Sequence, residues 1–331
     1  LLERWDIRTI MVIGASVSGV ALLLIGRASN LYELYALFTL FGIGNTGVSI
    51  VVATSLITQW FPDERRSVAL SISSTGLSLG GVLITPYTAY LFDKSGIFEA
   101  MPLLGVIFVV GIVPIVILFI RPPITLQAVK ETKRNFEMEY LLARKSRFFV
   151  CVTTAYVLIM AAQVGGIAHL YNRVDALGGL GVAAGSIQAL TLASISGRLL
   201  GGWLLTRITI RPFLFFNLLI QLLGLFLIGF SEMSEVAIIS SIFFGFSVGN
   251  LLMLQPLWLA EIYPSNIYPR LFALSNAYSV IGVASGPYLL GLVYVNSDYS
   301  VAYLVASVVS LTALVIIYSA GQPVSKVQSK L

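Results

Sequence analysis

Residues 187–211 read IQALTLASISGRLLGGWLLTRITIR, an apolar run long enough to cross a bilayer as one helix. One charge, Arg198, lies inside this run, and Arg207 and Arg211 follow at its end. A charged side chain at membrane depth costs about 2.5–3.5 kcal/mol on insertion scales, and such residues usually face a partner or a water-filled cavity. Arg198 is therefore the first candidate functional residue.

The composition indicates an all-α, polytopic membrane protein. Of the 331 residues, 57% are hydrophobic and 11% are charged, whereas a soluble domain carries about 25% charged residues. The net charge of +5 comes from basic residues in short links between apolar runs, so it does not indicate nucleic-acid binding. With one cysteine and one histidine, the chain offers no thiolate or zinc-protease ligand pattern. We expect no enzyme, no metal and no cofactor.

Apolar runs of about 20 residues predict ten membrane spans. The predicted spans are 9–27, 32–60, 67–92, 98–120, 148–171, 181–206, 212–231, 235–260, 271–294 and 299–320. The run at 32–60 is longer than one crossing needs, so we expect it to tilt or to project beyond the hydrocarbon. The predicted domains are an N-terminal bundle (1–120), a central loop (121–147), a six-helix bundle (148–320) and a tail (321–331).

The distribution of basic residues predicts the orientation. When the links are placed alternately on two sides, 16 of the 20 Lys and Arg residues fall on the side of the loop 121–147. Because cytoplasmic links carry the excess of Lys and Arg, we expect the long loop and the C-terminus to be cytoplasmic. The expected location is the plasma (inner) membrane.

Two halves of the chain repeat at an offset of about 203 residues. The pattern L-x-R-x-x-I-R occurs at 2–8 and at 205–211, and R-x-x-A-L-S occurs at 66–71 and at 270–275. Such duplicated halves are typical of secondary transporters. The fifth and sixth spans have no counterpart in the first half, so we expect about two further helices before residue 1. The intact protein would then have twelve spans, as six plus six.

At these motifs the sequence resembles the major facilitator superfamily along its whole length. The family's loop pattern G-x-L-x-D-R-x-G-x-R is found in degraded form at 1–8 and at 202–211. The resemblance implies a bundle of two six-helix halves that rock around a site at the membrane midplane, giving alternating access. It implies a small-molecule substrate, and we expect a monomer in the lipid bilayer.

Within the superfamily, the chain is similar to the monocarboxylate and oxalate–formate branch. The similarity rests on Gln59-Trp60-Phe61-Pro62 and on Gly197-Arg198 with Gly202. It implies a small organic anion, moved with a proton or by exchange. Two positions depart from the branch: Ser194 stands where monocarboxylate carriers tend to have Asp, and 271–294 lacks the Lys of oxalate exchangers.

The candidate site residues follow from chemistry and from the family's packing. Arg198 would anchor a carboxylate, since a guanidinium pairs with it through two hydrogen bonds; the alternative is a structural Arg that snorkels to the cytoplasmic face. Amides within spans must find partners, and they line the cavity or bond between helices. The family packing favours as lining residues Asn45, Gln163, Asn250 and Gln255. It places Asn217 and Gln221 in helix–helix bonds.

Two further groups are candidates. His169 is the side chain whose charge is best suited to proton coupling, and the alternative is an interfacial histidine. A cytoplasmic gate would pair acids or helix ends with the repeated arginines Arg4, Arg8, Arg207 and Arg211; the alternative is orientation by positive charge alone.

Three glycine pairs four residues apart permit close helix approach. They are Gly76 and Gly80, Gly197 and Gly201, and Gly282 and Gly286. From the family's packing we expect these pairs to meet across the two halves.

The functional prediction is a secondary active transporter for a small carboxylate. The alternative within transport is an exporter of neutral or amphiphilic compounds, in which Arg198 is structural. The alternative of another class is a membrane sensor with the same fold that binds ligand without moving it.

Overall fold

The computed structural model describes residues 6–61, 63–121 and 133–321. Within these ranges the regular structure is helical, with one short 3-10 turn and no strand. The helices in chain order are α1 Ile7–Ile25, α2 Leu31–Asn45, α3 Ile50–Trp60, α4 Asp63–Phe119, α5 Lys133–Lys145, α6 Arg147–Gly178, α7 Leu180–Leu204, α8 Ile210–Phe230, α9 Ser234–Ile262, α10 Tyr268–Asn296 and α11 Tyr299–Ser319. In this described part, nine helical stretches are long and apolar enough to cross a membrane.

The long run at 32–60 is one candidate span but not one continuous helix. It is interrupted by a 3-10 turn at Thr46–Val48 and by Ser49 in an extended conformation. The break lies where Gly44 and Gly47 approach α1 so closely that a Cβ atom on Gly47 would lie 2.6 Å from the carbonyl oxygen of Ile10. The run is therefore one candidate span, as predicted, but it consists of two helices that meet at this break.

The link between the predicted spans 67–92 and 98–120 lies inside α4. Gly96 has φ 72° and ψ 169°, and it divides α4 into two helical segments. Glycine adopts this conformation without the steric cost that other residues meet. The first segment contains the predicted span at 67–92, which is helical but does not belong to the nine stretches counted among the described residues.

Two compact units divide the chain. One comprises Leu1–Trp60 with Leu79–Glu131, and the other comprises Phe61–Ser78 with Thr132–Leu331. The predicted halves differ from these units in one segment, since 61–78 packs with the C-terminal helices. In the first unit, α1 packs against α2.

The second unit has its core among α6, α8, α9 and α11. Leu170, Leu225, Phe244 and Tyr303 are fully buried there. Arg173 closes one end of α8 by donating to the carbonyl oxygens of Ile228, Gly229 and Ser231 at 3.2, 2.9 and 2.7 Å. A cation at the C-terminal end of a helix satisfies free carbonyl groups and opposes the helix dipole.

A glycine seam joins α6 to α10. A Cβ atom on Gly282 or Gly286 would overlap the carbonyl oxygens of Val157 and Ala161, respectively. Gly165 faces Gly286 from the α6 side. The close approach predicted for this glycine pair is confirmed, and within the described residues its partner is α6 of the same unit.

Candidate functional site

Arg198 lies in the middle of α7 and is 2% exposed. Its Nε donates to the carbonyl oxygen of Gly249 on α9 at 3.1 Å. Its Nη1 donates to the carbonyl oxygen of Ser74 and to the hydroxyl of Ser78, both at 2.7 Å. All these acceptors are neutral, so a full positive charge is buried with hydrogen bonds but without a counter-charge among the described residues.

The first segment of α4 fits α7 through small side chains at matching four-residue intervals. Gly202 on α7 lies against Ser71, and the Ser194 hydroxyl lies 3.4 Å from that of Ser78. Residues four apart on a helix share one face, so these contacts and those of Arg198 form one row. We call Ser74, Ser78, Ser194, Arg198 and Gly249 the arginine cluster.

The hydrogen-bond inventory of Arg198 limits how it can hold an anion. A guanidinium has five N–H donors, and the bonds to Gly249, Ser74 and Ser78 use those of Nε and Nη1. The two donors of Nη2 have no partner among the described residues. A carboxylate can therefore bind Nη2 directly, and the predicted two-bond pairing requires it to replace an acceptor such as Ser78.

Two of the four predicted lining amides bond between helices instead. The Gln163 amide, which is 1% exposed, donates to the Gln221 carbonyl oxygen at 3.1 Å, and Gln221 in turn donates to Ser310 at 3.0 Å. The Gln255 amide donates to the hydroxyls of Ser275 and Ser279 on α10, each at 3.0 Å. These hydrogen bonds join neighbouring helices. The predicted helix–helix role is confirmed for Gln221, whereas Asn217 donates to the Phe213 carbonyl oxygen of its own helix at 2.7 Å.

The other two amides lie in different surroundings. Asn45 is exposed at the end of α2, where the helix breaks. Asn250 is fully buried, and its Nδ2 donates to the Phe246 carbonyl oxygen at 3.0 Å. Its Oδ1 has no hydrogen-bond partner within the described residues and lies against Gly201. Asn250 follows Gly249 directly, so it is the predicted amide closest in sequence to the arginine cluster.

His169 lies on α6 beside α10, near the glycine seam. Its Nε2 is 2.9 Å from the carbonyl oxygen of Pro287, and its ring centroid is 6.2 Å from that of Tyr299. A carbonyl oxygen only accepts, so Nε2 carries the proton in this contact and Nδ1 is the nitrogen that can gain one.

Two of the four repeated arginines bind helix ends, and neither forms an ion pair within the described residues. In the first unit, Arg8 donates through Nε to the carbonyl oxygen of Ile120, just after α4. In the second unit, Arg211 donates to the carbonyl oxygen of Tyr318, in the last turn of α11, at 3.4 Å. Arg207 lies over the Trp203 ring at 4.4 Å, and Arg4 lies outside the described residues. The equivalent contacts of Arg8 and Arg211 agree with the internal repeat.

The serines that hold Arg198 were not among the predicted site residues. A signal for them exists in the serine and threonine spacing of the run at 67–78, where Ser71, Ser74, Thr75 and Ser78 fall on one face of a helix. Sequence alone does not say which helix that face meets.

Known proteins with similar sequences are membrane transporters. A family model described as Major Facilitator Superfamily matches residues 1–249 and 183–331. The chain is 31% identical over 164 residues to the oxalate:formate antiporter of Oxalobacter formigenes, covering 48% of this chain and 37% of that protein. It is 25% identical over 302 residues to the uncharacterized MFS-type transporter YhjX of Escherichia coli K12, covering 86% of this chain and 70% of that protein.

Solved structures show the same fold. The FucP transporter in its outward conformation superposes with a TM-score of 0.78 at 14% identity, covering 97% of this chain and 84% of that one. The human organic anion transporter MFSD10 superposes with a TM-score of 0.75 at 13% identity, covering 94% of this chain and 77% of that one. At these identities the likeness concerns the fold alone.

Proposed function

Because this chain belongs to the major facilitator superfamily, and is thereby a multi-pass integral membrane protein, we propose that it is a secondary transporter for a small organic anion of the carboxylate type. It would move this substrate by alternating access, in which the halves expose a central site to each side in turn. The observation that carries the substrate class is Arg198, a buried cation whose hydrogen-bond partners among the described residues are all neutral oxygens.

The charge balance of the arginine cluster favours an anionic substrate. Burying an unpaired charge costs several kcal/mol even after the protein relaxes, and the hydrogen bonds to Ser74, Ser78 and Gly249 offset only part of this cost. A bound carboxylate would supply the missing negative charge. Its oxygens would accept from Nη2 and, after displacing Ser78, from Nη1.

The similarity to a protein named oxalate:formate antiporter supports the same class of substrate. The chain spans 37% of the length of that antiporter, so the similarity does not extend to every part of a transport pathway. Monocarboxylates and dicarboxylates therefore both belong to the proposal, as do proton-coupled transport and exchange.

The orientation forms part of the proposal. We infer that the end of the second unit that carries α5 faces the cytoplasm, because Arg144 and Lys145 end α5 and Arg147 begins α6 there. The plasma membrane and a monomeric state remain our expectations.

The first experiment is a ligand panel. We expect oxalate, formate or another small carboxylate to raise the thermal midpoint of the purified protein, whereas neutral sugars of similar size leave it unchanged, because only an anion neutralises Arg198. Thermal shift in a neutral detergent measures this response, with chloride at equal ionic strength as the control. Stabilisation by neutral amphiphiles but not by carboxylates would contradict the proposal and favour the exporter.

Binding alone does not establish transport, so proteoliposomes provide the second measurement. Saturable uptake of the stabilising carboxylate, accelerated by the same anion trapped inside, indicates exchange. Binding without uptake would instead favour a sensor.

His169 is the residue we propose for proton coupling. Tyr299 faces its ring from α11, and Arg173 lies one turn further along α6. We expect His169→Gln to retain carboxylate binding but to lose the acceleration of uptake by an inward proton gradient, because the amide cannot carry a proton between the two sides. Uptake measured with and without the gradient tests this. An unchanged gradient response in the variant would exclude His169 as the coupling residue.

A further inference from the structure

A groove of about 550 Å³ lies where α5, α6 and α10 meet in the second unit. Arg144 and Lys145, the last residues of α5, form its one basic end. Beyond them the wall is mostly apolar, with Val157 and Leu158 on α6 and Leu274 and Tyr278 on α10. Among the described residues that line the groove, none is acidic. Its volume is within the range of about 300–1,000 Å³ typical of ligand sites.

The groove has a firm back wall because α6 and α10 touch behind it. The Thr153 hydroxyl donates to that of Ser275 at 3.0 Å, and both residues are buried. One turn further, Gly282 lies against the carbonyl oxygen of Val157. These contacts fix the spacing of the two helices, so the groove is a shaped surface of the folded unit.

Helix α5 is held in place at the basic end. Glu137 forms an ion pair of 2.7 Å with Arg270, and Glu139 accepts from Asn266 at 3.4 Å. The other face of α5 leaves Met138 and Leu142 exposed, at 59% and 65%. Exposed apolar side chains beside basic ones are typical of a helix that lies at the membrane surface. Glu137 is thus paired with Arg270, and neither Arg144 nor Lys145 forms an ion pair within the described residues.

The dimensions of the groove match one leaflet of a bilayer. From Phe149 to Leu158 the lining follows α6 over ten residues, and their nine steps of 1.5 Å make about 14 Å along the helix axis. Half of a hydrocarbon core of about 30 Å is 15 Å. Arg144 and Lys145 lie just before α6 enters the membrane. The phosphate groups of lipids lie at this level.

We propose that this groove binds an anionic phospholipid of the leaflet on the α5 side. The phosphate would contact Arg144 and Lys145, and one acyl chain would follow the apolar wall between α6 and α10. Basic pockets between membrane helices recognise anionic head groups in this manner. The proposal is independent of Arg198 and of the carboxylate substrate, since no residue of the arginine cluster lines the groove.

The test measures thermal stability of the purified chain in neutral detergent with added phosphatidylglycerol. We expect stabilisation of the unchanged protein, and we expect Arg144→Gln combined with Lys145→Gln to require about 30-fold more lipid, since each cation near an anionic surface contributes about a fivefold factor. Thr154→Trp, which places a ring in the groove at an exposed position, should weaken the response while both cations remain.

The controls separate a specific groove from general charge. Arg147→Gln removes an exposed cation that does not line the groove, and it should respond as the unchanged protein does. Phosphatidylcholine with the same acyl chains and glycerol phosphate without chains should stabilise little. Equal responses of the double variant and Arg147→Gln, or equal effects of the two lipids, would overturn the proposal. Glycerol phosphate as effective as phosphatidylglycerol would overturn it too, because the site would then take a soluble anion.

Discussion

Replacing Arg198 by Gln should abolish the thermal stabilisation that a carboxylate gives to this protein. Truncating one partner of a buried charge pair costs about 2–5 kcal/mol, which is a loss of affinity of roughly 30-fold to several thousand-fold. The substitution also leaves the carbonyl oxygens of Ser74 and Gly249 without their donor. Ligand titrations followed by thermal shift measure the loss, with Arg147→Gln as an exposed arginine control.

Replacing Arg198 by Lys separates charge from geometry. The ammonium keeps the positive charge but lacks the planar fork that spans two acceptors. It cannot bond to α9 and to the α4 segment while also presenting two free donors, so we expect carboxylate affinity to fall by at least about tenfold, the equivalent of one charged hydrogen bond. Full carboxylate response in both Arg198 variants, together with a lower thermal midpoint, would show that this arginine only holds the helices together.

Replacing Gly286 by Val should prevent the second unit from folding stably. Even the Cβ atom would overlap the carbonyl oxygen of Ala161, which belongs to the α6 backbone and cannot rotate away. Overpacking a well-packed contact typically costs about 1–3 kcal/mol, and two further methyl groups at a backbone contact bring the effect to the upper end or beyond. We expect a lower yield of monodisperse protein and a lower thermal midpoint.

The matched control is the same kind of change at an open glycine. A Cβ atom at Gly76 meets nothing within 4 Å in the described structure. Gly76→Ala should be neutral or slightly stabilising, since alanine is favoured over glycine in a helix by up to about 1 kcal/mol. Gly286→Ala should destabilise. Equal thermal midpoints for the two alanine variants would contradict the seam described between α6 and α10.

Much of the fold could be predicted because hydropathy reports directly on the membrane. Apolar runs marked the spans, and the gaps between them contain Gly96 and Gly179, where φ is positive. The run at 32–60 shows the limit of this signal. Hydropathy indicates that a segment lies in the membrane. The break at Thr46–Val48 lies at a close contact with α1, and the average hydropathy of a segment carries no information on such a contact.

The site was predictable only in part, for a related reason. A charge or an amide in an apolar run must find a partner, and so Arg198 and Gln163 could be identified as residues with something to bind. The sequence does not name the partner. Gln163 bonds to Gln221, Arg198 bonds to Ser74 and Ser78, and Gly282 meets α6, and each of these contacts depends on which helices become neighbours.

The paired contacts of Arg8 and Arg211 bear on the order of events during biosynthesis. In each unit, an arginine at the start of one helix donates to a carbonyl oxygen at the end of a helix about 110 residues later. Arg8 donates to Ile120, and Arg211 donates to Tyr318. Neither contact can form until the ribosome has completed the last helix of that half. Each arginine therefore reaches its carbonyl oxygen only after all helices of that half have been synthesised. The contact of Arg8 can form before the second half has been translated.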